Sequence, residues 1–191
     1  MPLFISAIPM IKVNDAIEKL SGPVRKYDWI MKNIDPLNPV FQANFKNFYV
    51  VRRRTPQWSD NFFKIFDDVR TSWGTLGAAN PCAVFEDVLG RLKSNPATSK
   101  YVEKSFASKM LHTLNPSLPI IDKEVLKQLG YRNPYNSIPK SVQLYEELID
   151  WYATALSDPV SIGWIDAFNN AFPGNTYTNV KRIDFLLWQM R

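Results

Sequence analysis

Bulky apolar residues recur along this chain at steps of three and four, and a strand-like alternation is sustained nowhere. Trp58, Phe62, Phe66, Val69 and Trp73 follow one another at such steps, as do Phe41, Phe45 and Phe48, with Tyr49 beside them. Val142, Tyr145, Leu148, Ile149, Tyr152 and Leu156 form a third stripe, and Val180, Ile183, Leu187 and Met190 a fourth. Each series puts its side chains on one side of an α-helix, where they can be buried against other helices. The pattern predicts an all-α fold. We expect one compact multi-helix domain over 1–191, of one or two helical lobes arranged about a helix-turn-helix at 98–130. The 191 residues suffice to bury a core, and at typical helix lengths they make roughly eight to ten helices.

Local grammar refines the outline. Asn80-Pro81 reads as a helix start, the Asn capping and the proline taking a first-turn position where no amide partner is lost, with the end near Gly90. The aromatic helix from Phe41 is expected to run to Val51. A helix from about Thr98 to Leu114 is followed by the turn Asn115-Pro116-Ser117-Leu118-Pro119. Pro116 cannot continue the first helix, and Pro119 holds Leu118 extended. Asp122 then caps a short helix that Gly130 stops in the left-handed region. Tyr131 to Pro139 reads as a loop.

Composition narrows the chemistry. The chain has 7 glycines and 14 prolines, where average usage would give about 13 and about 10. No G-x-G and no G-x-x-x-x-G-K-[ST] occurs, so neither a dinucleotide fold nor a P-loop is expected, and no nucleotide cofactor. Cys82 and His112 are the only residues of their kinds, too few for a Cys/His metal site or a disulfide framework. We expect no metal and no cofactor. No apolar run reaches the roughly 18 to 20 residues of a spanning helix, and Met1 to Ile11 carries no basic residue and is broken by Pro2 and Pro9. A cytoplasmic protein without a membrane partner is the expectation.

The net charge of +5 is unevenly spread. Lys and Arg outnumber Asp and Glu nine to four over 1–56 and nine to three over 91–140; the acids lead five to two over 57–90 and six to three over 141–191. If the basic blocks share a face, a polyanion such as nucleic acid suits it; interspersed charges on a solvated surface give the same count. Arg52, Arg53 and Arg54, between aromatic stretches, can meet a phosphate backbone beside a stacking platform, or simply answer the negative end of a helix dipole. Lys100, Lys104 and His112, read as one basic helix with Lys109, complete the candidate nucleic-acid contacts. A lone histidine is more often a hydrogen-bonded spectator, which is the alternative for His112. The pairs Asp67-Asp68 and Glu146-Glu147 diverge by about 100° on a helix and read as solvated surface.

The run Phe106-Ala107-Ser108-Lys109-Met110-Leu111-His112, with Pro119-Ile120-Ile121-Asp122 and Val125 to Gly130, resembles part of the helix-hairpin-helix DNA glycosylase superfamily. The resemblance covers 106–130. It implies a hairpin leading into a helix with a lysine nucleophile, in bifunctional members, and a catalytic aspartate just before a V-x-x-x-L-G helix. Lys109 matches the first position and Asp122 the second. Two features depart from the pattern. Phe106 and Ala107 stand near where hairpin glycines would let amides approach a phosphate, and the Lys109 to Asp122 spacing is several residues short.

The residues themselves allow two roles each. Lys109 lies at the edge of the stripe Val102, Phe106, Met110 and Leu114; desolvated there it becomes nucleophilic, whereas most lysines so placed snorkel to water. Asp122 can stabilise positive charge on a sugar or only cap a helix. Three function classes stay open: a DNA N-glycosylase with or without lyase activity, a non-catalytic DNA- or RNA-binding module, and a helical protein-interaction protein.

Overall fold

Prolines and short polar caps begin most of the helices, and they account for the proline excess. In the computed structural model, which describes residues 8–51, 54–76 and 80–190, ten α-helices and no strand occur among the described residues. They are α1 (Met10–Glu18), α2 (Ser21–Lys32), α3 (Pro39–Phe48), α4 (Pro56–Leu76), α5 (Pro81–Ser94), α6 (Lys104–Leu114), α7 (Lys123–Leu129), α8 (Ile138–Ala155), α9 (Pro159–Ala171) and α10 (Asn179–Gln189). The all-α expectation is met. Asn38, Asn80, Ser137 and Asp158 each accept a first-turn amide ahead of a proline at the first or second helical position. Thr55 Oγ1 accepts from Trp58 N before Pro56. Asp122 caps α7, and Gly130 ends it at φ +73°.

Boundaries moved where side chains were used differently from the expectation. The helix expected from Thr98 starts at Lys104, because the Thr98 hydroxyl turns back to the Leu92 carbonyl and finishes α5 instead. Gly90 lies inside α5, which continues to Ser94. The helix from Phe41 ends at Phe48 rather than Val51. Val50 takes φ +55°, while Val51 N reaches the Lys46 carbonyl at 2.8 Å and Val50 N that of Asn47 at 3.3 Å. This is a Schellman stop with a β-branched residue where glycine is usual.

The stripes read from the sequence face one core. Trp58, Phe62, Phe66 and Val69 of α4, Tyr145, Leu148 and Tyr152 of α8, and Val180, Ile183 and Leu187 of α10 are buried in it. α5 packs against α4, α6 and α8, while α10 packs against α1, α7 and α9. α6 and α7 thus belong to neighbouring packing groups, and the turn between them bridges the groups. Three bonds hold that turn: Ile121 N to Ser108 Oγ at 2.9 Å, Thr178 Oγ1 to the Pro116 carbonyl at 2.5 Å, and His112 Nδ1 with the Leu118 carbonyl at 2.7 Å. No helix among the described residues is long and apolar enough to cross a membrane.

Candidate functional site

Because the turn folds back on α6, Asp122 arrives opposite Lys109, one of the residues that α6 buries. Lys109 Nζ lies 3.3 Å from Asp122 Oδ2 and donates to Ser105 Oγ at 2.8 Å. The other carboxylate oxygen, Oδ1, accepts from Glu124 N at 2.9 Å. One side chain therefore does two things: it caps α7 and it faces the lysine. The lysine does not snorkel; its side chain is 8% exposed, and that of Asp122 17%.

Both residues line a cleft of about 410 Å³ at the seam between the packing groups. Its aromatic walls are Phe48, Tyr49, Phe106, Phe185 and Trp188. The Lys109 ammonium lies 5.7 Å from the Phe106 ring centre and 5.8 Å from that of Tyr49. On the far side α10 contributes Lys181 and Asp184, joined by a bond of 2.8 Å from Nζ to Oδ2. The Lys181 ammonium also stands 4.2 Å from the Phe185 ring centre and 4.5 Å from that of Tyr27. Burial pulls the Lys181 pKa below the ordinary range of an ammonium, with Asp184 opposing it. Burial raises that of Asp184, with Lys181 opposing. With Lys123 and Glu124 on the lining, three lysines meet three carboxylates, so the formal charges of the described lining residues balance. A flat, uncharged aromatic ligand suits such walls better than a naked anion.

A smaller cavity of about 170 Å³ adjoins this cleft, sharing Ser105, Phe106 and Lys123 with it. Arg54, Lys104 and Lys123 line it against one carboxylate, Glu103. Lys104, the first residue of α6, has its pKa lowered by burial against the opposing pull of Glu103. Arg54 is not loose at the end of a helix: its guanidinium reaches Glu103 at 2.8 Å and lies 5.0 Å from the ring centres of Trp58 and Phe106. Glu103 also accepts from Trp58 Nε1 at 3.1 Å, and burial raises its pKa against the opposing effects of Arg54 and Trp58. Arg52 and Arg53 lie outside the described residues. Lys100 is exposed, 5.3 Å from the Tyr101 ring centre.

His112 requires a correction. Expected on a basic face, it is fully buried. Its Nδ1 sits 2.7 Å from the Leu118 carbonyl and its Nε2 3.3 Å from the Tyr27 hydroxyl, which fits a neutral ring donating from Nδ1 and accepting at Nε2. Burial lowers its pKa well below the usual value, Lys181 adds to this, and the Leu118 carbonyl opposes it. The angular reading failed because α6 is sheathed on all sides, burying every residue from Ala107 to Thr113.

Lys181, Asp184 and Trp188 were not among the expected site residues. The sequence signal is faint: Val180, Ile183, Phe185, Leu186 and Leu187 spread over more than one side of α10, and the structure buries all five together with Lys181 and Asp184. Among the described residues no group of three or more His, Cys, Asp or Glu converges as a metal site. Comparison with family models, with curated proteins and with solved structures gives no match for this chain.

Proposed function

We propose that the chain is a nucleic-acid-binding N-glycosylase of the kind its 106–130 segment resembles, with the aromatic cleft as the pocket for a base turned out of its strand. The observation that carries this reading is the meeting of Lys109 and Asp122 at 3.3 Å within a ring-lined cleft. Base chemistry requires such a pocket, since the reacting carbon is inaccessible while the base stays stacked. The small basic cavity beside it, with Arg54, Lys104 and Lys123, would take a flanking phosphate.

The chemistry follows from the pair. As the glycosidic bond breaks, the base leaves with the electron pair and takes up a proton, and positive charge grows on the sugar. The Asp122 carboxylate stabilises that charge. Attack by Lys109 requires its ammonium to lose a proton; Asp122 Oδ2, within reach, relays that proton to the departing base and so returns to the carboxylate that faces the sugar. The Nζ lone pair then bonds to C1′, the nitrogen gives up a second proton, O4′ takes one up as the C1′–O4′ bond breaks, and a Schiff base results.

Borohydride trapping on a panel of lesion-bearing duplexes tests this. The wild type should leave a covalent adduct with at least one lesion and Lys109→Gln none. Asp122→Asn, which retains an oxygen for the cap, should fold and bind DNA with turnover at least about a hundredfold down. An adduct that survives in Lys109→Gln removes the lysine from the chemistry, and undiminished turnover in Asp122→Asn leaves that residue a cap alone. If no lesion yields an adduct or a released base, the catalytic reading is wrong.

A further inference from the structure

We infer that Lys181 and Asp184 form a hydrogen-bonding clamp on the cleft wall that selects heterocycles presenting a lactam edge, NH beside C=O; this rests on the reading of the cleft as a base pocket. Both line the cleft, and their side chains are 2% and 6% exposed. Stability alone does not account for them. A buried ion pair seldom adds net stability over apolar side chains of similar size, and α10 is already anchored by Val180, Ile183, Phe185, Leu186 and Leu187.

The pair's unused capacity has a definite form. An ammonium has three N–H groups, and one of those on Lys181 goes to Asp184 Oδ2. Oδ1 of Asp184 accepts no hydrogen bond among the described residues. The other two N–H groups of Lys181 have no oxygen or nitrogen acceptor among the described residues and meet only the rings of Phe185, Tyr27 and Phe48, at 4.2, 4.5 and 5.6 Å from the ammonium. Rings accept weakly beside a carbonyl oxygen, so the wall offers two donors next to one acceptor. A lactam brings a carbonyl oxygen with two lone pairs and a single N–H, and every group finds a partner. An amidine edge, as on cytosine or adenine, brings one ring-nitrogen lone pair and an amino group with two hydrogens. It would strand one Lys181 N–H and one amino hydrogen away from water, and unpaired buried donors are costly. Phe48, Phe185 and Trp188 supply the faces between which such a ring would lie.

Calorimetric titration of the full chain with 1-methyluracil, 1,3-dimethyluracil and 1-methylcytosine tests the clamp, the methyl at N1 standing for the sugar. The wild type should bind 1-methyluracil about tenfold or more tighter than the other two, as losing hydrogen bonds to charged groups requires. The double variant Lys181→Met/Asp184→Leu should bind all three alike. Equal binding of the three by the wild type, or a preference that persists in the double variant, overturns the clamp and leaves the base pocket standing. Binding of none of them by the wild type overturns the pocket reading and the clamp with it. The wild-type comparison decides even if the double variant does not fold.

Discussion

Lys109 and Asp122 come from different elements and meet because a turn folds back on α6; Lys181 and Asp184 sit one turn apart on α10 and would be neighbours in any conformation that keeps that helix. The first pair is an outcome of tertiary structure, so its 3.3 Å separation depends on the 115–121 turn. The second is local, and what sets it apart is burial. The contrast extends to what each pair would leave behind if broken. Asp122 retains its cap bond to Glu124 N and some access to water, whereas Asp184 has no other hydrogen-bond partner among the described residues.

The largest effect follows directly. Lys181→Ala strands a carboxylate in the protein interior and should cost about 3 to 5 kcal/mol in urea unfolding at pH 7. Lys109→Ala, beside a carboxylate that keeps a partner, should cost less than half of that. Lys181→Met/Asp184→Leu, which removes both charges, should lie close to the wild type. If Lys109→Ala proves the more damaging, the assignment of the deeper pair to α10 fails.

The same contrast explains what was readable in the sequence. Asp122 and Gly130 could be identified because capping and left-handed stops are local rules, and the structure follows them at both positions. Lys109 could be placed near Asp122 only through the resemblance. Its burial depends on what surrounds α6, and a hydrophobic stripe does not report that. His112 was misplaced for this reason, since a stripe angle distinguishes core from solvent only for a helix with one wet side. Lys181 and Asp184 are hidden in the sequence because a K-x-x-D pair ordinarily marks an exposed helix face. Helix starts are legible by the same local rule: the Asn-Pro signature that marks Asn80-Pro81 holds at Asn38-Pro39, and its Asp-Pro equivalent at Asp158-Pro159, where the structure also begins helices.

Acid should lower the stability of the fold through His112. The folded ring stays neutral well below the usual imidazole range, while in the unfolded chain it protonates near pH 6.5. The unfolded state thus binds the extra proton as pH falls below about 6.5, and stability should drop by up to about 1.4 kcal/mol per pH unit. Unfolding midpoints between pH 7 and 5 check this against His112→Asn, which is less stable at pH 7 but should show a flatter response. Parallel declines in the two proteins would mean that other groups carry the acid sensitivity. Protonation adds a hydrogen at Nε2, which costs the bond from the Tyr27 hydroxyl and leaves the bond to the Leu118 carbonyl in place, so hydrogen exchange on the acid side should rise first where α2 meets α6.

The smallest effect concerns how the lip of the cleft is held. Val50 carries φ +55° at the end of α3 and lines the cleft beside Tyr49, whose ring faces the Lys109 ammonium at 5.8 Å. A β-branched residue in that conformation is strained by on the order of 1 kcal/mol, and it persists only because its surroundings fix it. Gly130 fills the corresponding position after α7 at φ +73° without that strain. Val50→Gly should therefore relieve the backbone, and since Val50 is 43% exposed it gives up little packing. The gain is reduced by the freedom glycine adds to the unfolded chain, leaving a net stabilisation of about 0.5 kcal/mol. Matched urea curves for Val50→Gly and Val50→Ala measure it: glycine should exceed alanine, because alanine keeps the Cβ that makes the conformation unfavourable. The substitution changes the end of α3 and no residue of α10, so the wild-type 1-methyluracil preference, assigned to α10, should survive in Val50→Gly. If the preference disappears there, selection depends on the lip and the two sides of the cleft are not independent.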